Sequence, residues 1–252
     1  MKRTKRIIAA LCLALCACAA LAAETKDWKK VLAVMDALGS FKETDFAAEV
    51  TIVSVKPGED DTTYVVRYFR RDKDEKFTMV MLKPDTQKGQ GYFSVGDDLW
   101  FYDPESRKFA FSSLKDSFQD SDAQNSDFST SSYEKDYDVT ESSETKLGNF
   151  EVYQLTLVAN SKSVPVAKRK VWIRKDNYLP LKEEHYSVSD RLMRTIAIPK
   201  YQTVSGRFVP VTELIVDNLK KGEKTQLTLA NVSITKLPDA VFTKEYLERV
   251  NK

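Results

Sequence analysis

Between Lys26 and Leu38 the apolar residues Trp28, Val31, Leu32, Val34, Met35 and Leu38 recur every three or four positions, with lysines between them and Gly39 beyond. That spacing predicts one amphipathic helix with a glycine stop. After it the period changes to two. Short runs dense in Val, Ile, Thr, Tyr and Phe, broken by Pro, Gly, Asp, Asn and Lys, predict strands over 45–55, 62–71, 76–82, 91–95, 98–102, 137–146, 150–158, 166–174, 180–187, 191–198, 207–217 and 223–234. Tight connections such as Gly96-Asp97, Lys175-Asp176-Asn177 and Lys221-Gly222 leave no room for helical crossovers. The strands therefore form an antiparallel meander, giving one long curved sheet or open barrel. Residues 240–250, with Phe242, Tyr246, Leu247 and Val250 on one side, predict a closing helix. The segment 112–134 departs from this scheme: it is crowded with Ser, Asp, Gln and Asn, and only Leu114, Phe118 and Phe128 are large apolar anchors. It reads as a flexible loop or lid, with a merely solvated insertion as the alternative.

The first twenty-three residues follow a different rule. Lys2, Arg3, Lys5 and Arg6 precede the apolar run Ile7 to Leu21 and the small residues around Ala22, which is the layout of a secretory signal over 1–23. All three cysteines, Cys12, Cys16 and Cys18, lie inside it. Cleavage after Ala22 or Ala23 gives a soluble chain from Glu24 without a thiol. Alternatively, Leu15-Cys16-Ala17-Cys18 is a relaxed lipobox, in which Cys18 is lipidated and the protein is membrane-anchored, facing the periplasm. Either way the expected location is the periplasm. The remaining chain, 24–252, is expected to be a single domain, since a composition that is 42% hydrophobic and 30% charged supports one sizeable β core. The net charge of +2 includes the signal's four basic residues, so the rest is near neutral and carries no nucleic-acid footprint.

The inventory for catalysis is thin. The single histidine, His185, falls within Lys182-Glu183-Glu184-His185-Tyr186 and reads as a surface strand position. One histidine cannot build the common metal clusters. Gly91-Tyr92-Phe93-Ser94-Val95-Gly96 misses the G-x-S-x-G elbow by one residue and lacks its strand-to-helix turn. Asp120, Asp122, Asn125 and Asp127 resemble part of a calcium loop, but Asn125 replaces the turn glycine and Ser131 the bidentate Glu. No catalytic residue, metal or cofactor is expected.

The strands themselves point to a binding protein. Phe77, Met79 and Met81 share one face by alternation, Leu99 and Phe101 another, and Tyr153 and Leu155 continue with Leu157. We therefore take Phe77, Met79, Met81, Phe93, Leu99, Phe101, Tyr153, Leu155 and Trp172 as candidates to line an apolar cavity, with Met as adaptable lining. The alternative is a core filled by its own side chains. A one-residue register error on any strand exchanges lining and outer residues.

The order of these signals resembles the LolA/LolB-like bacterial lipoprotein carriers, in particular the outer membrane lipoprotein-sorting proteins. The resemblance rests on the helix leading through Phe41 to Asp45-Phe46-Ala47-Ala48-Glu49-Val50; on Gly96-Asp97-Asp98-Leu99-Trp100-Phe101-Tyr102-Asp103-Pro104 followed by Arg107; on 171–182 around Val171-Trp172-Ile173-Arg174; on 201–210 with Gly206-Arg207; and on 242–247. It implies a mainly β fold with a few helices, a half-open antiparallel β-barrel of about eleven or twelve strands closed by helices. It further implies a non-enzymatic carrier or acceptor for acyl chains of lipoproteins or other lipids, without cofactor. Its partners would be an inner-membrane releasing transporter and an outer-membrane acceptor or membrane, and it would act as a monomer. An arginine on an early strand would hold the lid through hydrogen bonds, and Arg67 and Arg70 are the candidates. Two other readings stand beside it: an envelope sensor or interaction protein of the same fold that detects lipid or lipoprotein stress, and an esterase or phospholipase built around His185.

Overall fold

The computed structural model describes residues 26–130, 132–162 and 164–250; the signal segment and Cys18 lie outside the described residues. Helix α1 (Trp28–Gly39) starts at Asp27, whose carboxylate accepts from Lys30 N. Thirteen strands follow: β1 (Phe46–Val55), β2 (Thr62–Arg71), β3 (Lys76–Lys83), β4 (Gly91–Val95), β5 (Asp98–Asp103), β6 (Lys108–Ser112), β7 (Tyr137–Leu147), β8 (Phe150–Ala159), β9 (Lys168–Arg174), β10 (Pro180–Tyr186), β11 (Leu192–Val204), β12 (Arg207–Asp217) and β13 (Lys224–Ile234). A four-residue helix, α2 (Tyr133–Asp136), precedes β7, and α3 (Lys244–Arg249) closes the described chain. The closing element expected over 240–250 is split into a 3-10 turn, Asp239–Phe242, and α3, which Thr243 caps by accepting from Tyr246 N.

All thirteen strands form one antiparallel sheet in the order β6-β5-β4-β3-β2-β1-β13-β12-β11-β10-β9-β8-β7. Its two ends do not meet, so the sheet is an open, curved half-barrel. Every neighbour is consecutive in sequence except β1 and β13, which pair from Phe46↔Ile234 to Val55↔Lys224. One strand more than expected is present: β6, a short edge strand whose Phe111 is exposed. Because β6 and β7 occupy opposite edges, residues 113–136 must cross the width of the sheet. They do so over the concave face.

The two faces are covered differently. On the concave side, Phe46, Val50 and Ile52 of β1, Tyr64, Val66 and Tyr68 of β2 and Phe77, Met79 and Met81 of β3 form a core with Phe118, Ala123 and Phe128 of the crossing segment. At the other end, Val31, Leu32 and Met35 of α1 pack on Leu155, Leu157, Val171 and Ile173 of β8 and β9. On the convex side, α3 sets Leu247 against Val80, Phe93 and Tyr102. Gly91 makes that approach possible, because a Cβ there would lie 2.6 Å from Leu247 Cδ2 and 2.8 Å from Met79 O.

A buried ion pair ties the N-terminal half of the sheet to the C-terminal segment. Asp45 and Arg71 are 2% and 3% exposed; Arg71 Nε and Nη2 donate to the two Asp45 carboxylate oxygens at 2.8 Å each, and Nη2 also donates to Leu237 O. Leu237 N donates back to Asp45 at 2.7 Å. Removing the cation leaves an uncompensated buried carboxylate, which costs about 3–5 kcal/mol. Arg71→Met is therefore expected to lower the urea-unfolding free energy by about that amount, whereas Lys146→Met, in an exposed pair with Glu151, is expected to change it by less than about 1 kcal/mol.

Candidate functional site

Between α1, the crossing segment and the concave face lies a cavity of ≈ 1370 Å³. Phe41, Phe46, Val50, Tyr68 and Phe77 line one side, Leu227, Leu229 and Ile234 the floor, and Ile196, Ile198 and Val209 the far side. The strand registers explain this set. Val50 faces Val66 and Leu229, and Ile196 faces Ile215, so alternate residues of adjacent strands align on the inner surface.

The candidates from alternation separate into four groups. Phe77 lines the cavity itself. Met79, Met81, Leu99 and Phe101 are also on the concave face but are gathered beneath Phe118 and Phe128 of the crossing segment. Tyr153 and Leu155 sit under α1, where the Tyr153 ring meets Trp28 edge-on at 5.3 Å. Phe93 and Trp172 are placed on the opposite face. Phe93 pairs across the strands with Thr78 and Trp100 and packs with α3, and Trp172 lies outside, with Lys182 Nζ 4.4 Å from its ring centre.

Of the two arginines, Arg67 is exposed, on the convex face, and does not reach the cavity. Arg70 lines it, pairs with Asp72 at 2.7 Å and donates to Gly39 O at the end of α1 at 2.6 Å. Arg207 makes a second such clamp, donating to Ala37 O and Ser40 O. Both guanidinium groups also lie over the Phe41 ring. Cations at the carbonyl end of a helix satisfy its orphan acceptors and complement its dipole.

The middle of the concave wall is polar, which the sequence reading missed. Arg169 of β9, Glu183 and His185 of β10 and Arg194 of β11 all face inward. His185, expected on the surface, is only 5% exposed. Its Nε2 lies 3.3 Å from Glu183 Oε2, and Glu183 also accepts from Tyr133 Oη and from Arg169 Nη1 at 3.1 Å. Burial works against the Glu183 charge, but the hydrogen bonds from His185 and Tyr133 and the Arg169 charge hold its pKa down to about 2. Burial pushes His185 down, so its imidazole is neutral at neutral pH. Among the described residues no hydroxyl or thiol hydrogen-bonds to His185, and the hydroxyl on Glu183 is that of Tyr133.

The polar loop residues serve the crossing segment. Arg194 donates to Gln124 Oε1 at 2.8 Å and to Asp127 Oδ2 at 2.6 Å, and Tyr68 Oη donates to Phe128 O. Asp122 pairs with Thr225, Asp120 with Lys56, and Asn125 donates to Ser113 O. Among the described residues no group of three or more His, Cys, Asp or Glu is placed to hold a metal ion, and no helix is long and apolar enough to cross a membrane.

A thirteen-stranded half-barrel lined by apolar side chains and covered by a helix and a crossing segment defines the LolA-type fold. A LolA superfamily protein from Nitrosomonas europaea matches with 25% identity and a TM-score of 0.75, over 86% of this chain and 98% of its own. A domain assigned to the outer membrane lipoprotein-sorting proteins, from Vibrio parahaemolyticus, shares the fold at 20% identity and a TM-score of 0.78, over 88% and 98%. A DUF1329 family protein from Desulfovibrio piger does so at 21% and 0.78, over 87% and 97%. A family model described as that of an uncharacterized protein matches residues 73–249. No curated protein matches the chain. The chain belongs to the family that this model describes, and its fold is that of the LolA superfamily.

Glu213 of β12 faces the same cavity, and its side chain makes no hydrogen bond or ion pair among the described residues. Burial, then the charges of Asp127 and Glu183, push its pKa up to about 7, against the pull of Arg194 and Arg70. A carboxyl whose folded pKa exceeds its unfolded value keeps the fold most stable when protonated, so stability is lost as pH rises from about 4.5 towards about 7. Wild-type protein is expected to lose about 1–2 kcal/mol between pH 5 and pH 8 that Glu213→Gln retains, the size reduced because the cavity admits water. Urea unfolding at the two pH values measures the difference.

Proposed function

We propose that the protein is a non-enzymatic carrier or acceptor in the cell envelope that takes up the acyl chains of lipoproteins or other lipids and moves them towards the outer membrane. The observation that carries this reading is the ≈ 1370 Å³ cavity with apolar side chains on both sides. It exceeds the roughly 300–1,000 Å³ usual for small-molecule sites and suits a long flexible chain. Each acyl CH₂ moved out of water contributes about 0.8 kcal/mol, so a chain seated here is held firmly and release needs a competing apolar site. Opening follows from the same contacts: α1 is the lid, Arg70 and Arg207 are its latches, and Met79 and Met81 supply wall that repacks around a chain. The partners on this reading are an inner-membrane transporter that releases the cargo and an outer-membrane acceptor or membrane that receives it, with the protein acting as a monomer.

The test is mass spectrometry of the protein purified gently from its own membranes and soluble envelope fraction, reading N-terminus and cargo together. A co-purified lipid or acylated peptide is the expected result, with a start near Glu24 marking a soluble carrier and a lipidated Cys18 an anchored acceptor. Protein free of cargo in both fractions would contradict the carrier reading and favour a sensor of the same fold.

A further inference from the structure

We propose that His185 and Arg194 form a hydrogen-bonding subsite for the uncharged polar end of an acyl chain, one that carries an N–H or O–H donor next to a C=O acceptor. This rests on the carrier reading and adds to it a chemical class of cargo. The two residues are directly opposed on β10 and β11, which places their Cβ atoms about 5 Å apart on the cavity wall. They are 5% and 8% exposed, and both line the cavity. Each has one buried nitrogen without a hydrogen-bond partner: Nδ1 of His185 and Nε of Arg194. Native proteins rarely leave such atoms unserved, and each one left so weakens the fold.

The chemistry of the two orphans is fixed by their surroundings. Glu183 Oε2 accepts at His185 Nε2, so the ring proton sits on Nε2 and Nδ1 offers a lone pair. A guanidinium Nε carries a proton and can only donate. The Nη atoms of Arg194 are already engaged by Gln124 and Asp127 of the crossing segment, leaving Nε for a ligand. The pair therefore presents one acceptor beside one donor. A secondary amide matches this, as does an ester flanked by a free hydroxyl; a simple methyl ester, which only accepts, matches half of it. Ile196 and Ile198 on the same strand continue the wall into the apolar part, so the polar end is held beside the crossing segment while the chain runs inward.

Two sources supply this chemistry, an N-acylated peptide terminus and a monoacylglycerol. The experiment measures displacement of a fluorescent acyl reporter from the full chain by three uncharged dodecanoyl compounds: N-dodecanoylglycine methylamide, 1-monododecanoylglycerol and methyl dodecanoate. The two donor-bearing compounds are expected to bind at least about fivefold more tightly than the methyl ester, the gain a single neutral hydrogen bond supplies. They are also the better hydrated, so solvent alone would favour the opposite order. The tighter of the two assigns the source. His185→Phe is expected to erase the preference, and His185→Asn, whose amide oxygen takes the place of Nδ1, to restore part of it; thermal unfolding checks that each variant is folded. Equal affinity for all three compounds on the wild-type protein would overturn the proposal, and so would a preference that survives His185→Phe. Failure of the reporter to bind at all would overturn the carrier reading as well, so the two failures are distinguishable.

Discussion

The pairing of β1 with β13 is the constraint on which the rest of the molecule depends. Chain order runs outward from β1 to β6 and then inward from β7 to β13, and the β1–β13 ladder joins the two halves at the centre of the sheet. That ladder sends β6 and β7 to opposite edges, and the connection between them has to cross a whole face. An uncovered concave face carrying Ile52, Tyr64, Met79 and Leu99 would expose a large apolar surface to water. The crossing segment and α1 cover it from the two ends. Between those ends the crossing segment meets the middle of the wall through Arg194, and the cavity is the space that its side chains and those of α1 leave over the concave face.

A space bounded in this way need not be uniformly apolar, and this one is not. Arg169, Glu183, His185 and Arg194 bring charge and hydrogen-bonding capacity into the wall, with most partners satisfied by one another, by Tyr133 and by the crossing segment. Burying such a network is costly unless its members are matched. The same residues thus do two jobs: they position the crossing segment through Arg194, and they give an otherwise greasy cavity a polar spot. At the rim, Arg70 and Arg207 hold the end of α1 by hydrogen bonds alone, which are directional and exchangeable with water. The Asp45–Arg71 pair, by contrast, is buried and ties β2 to the segments that flank β1 and β13.

Much of the architecture was legible in the chain. Period-two alternation bounded by Gly, Pro and Asp located the strands because most of them bury side chains on at least one face, although β7 is exposed along most of its length. The exception, β6, is a five-residue edge strand with few buried side chains, so its pattern carries little signal. The crossing segment stood out by composition, although its topology was not visible: nothing local in residues 112–134 says that β6 and β7 are distant edges. Alternation placed Phe77 and Met79 on the concave face, yet it cannot say which face of β4 is inner, because Tyr92 and Phe93 are both buried, one under the crossing segment and the other under α3. Trp172 attracts attention by size, but its neighbours Val171 and Ile173 point inward. The polar wall was missed for a related reason. Lys182-Glu183-Glu184-His185-Tyr186 has the composition of an exposed strand, and only the pairing of Glu183 with Val171 and of His185 with Arg169 reveals that alternate members face inward.

On the carrier reading, acyl chains enter the space between the concave face, α1 and the crossing segment. The most direct test is photocrosslinking of a radiolabelled fatty acyl ligand to the protein carrying a photoreactive phenylalanine at one position at a time. Labels at Ile196 and Leu229, inside the cavity, are expected to capture the ligand, and labels at Trp172 and Phe111, on the outer surface and the edge strand, are not. Capture at Trp172 or Phe111 without capture at Ile196 and Leu229 would contradict the account.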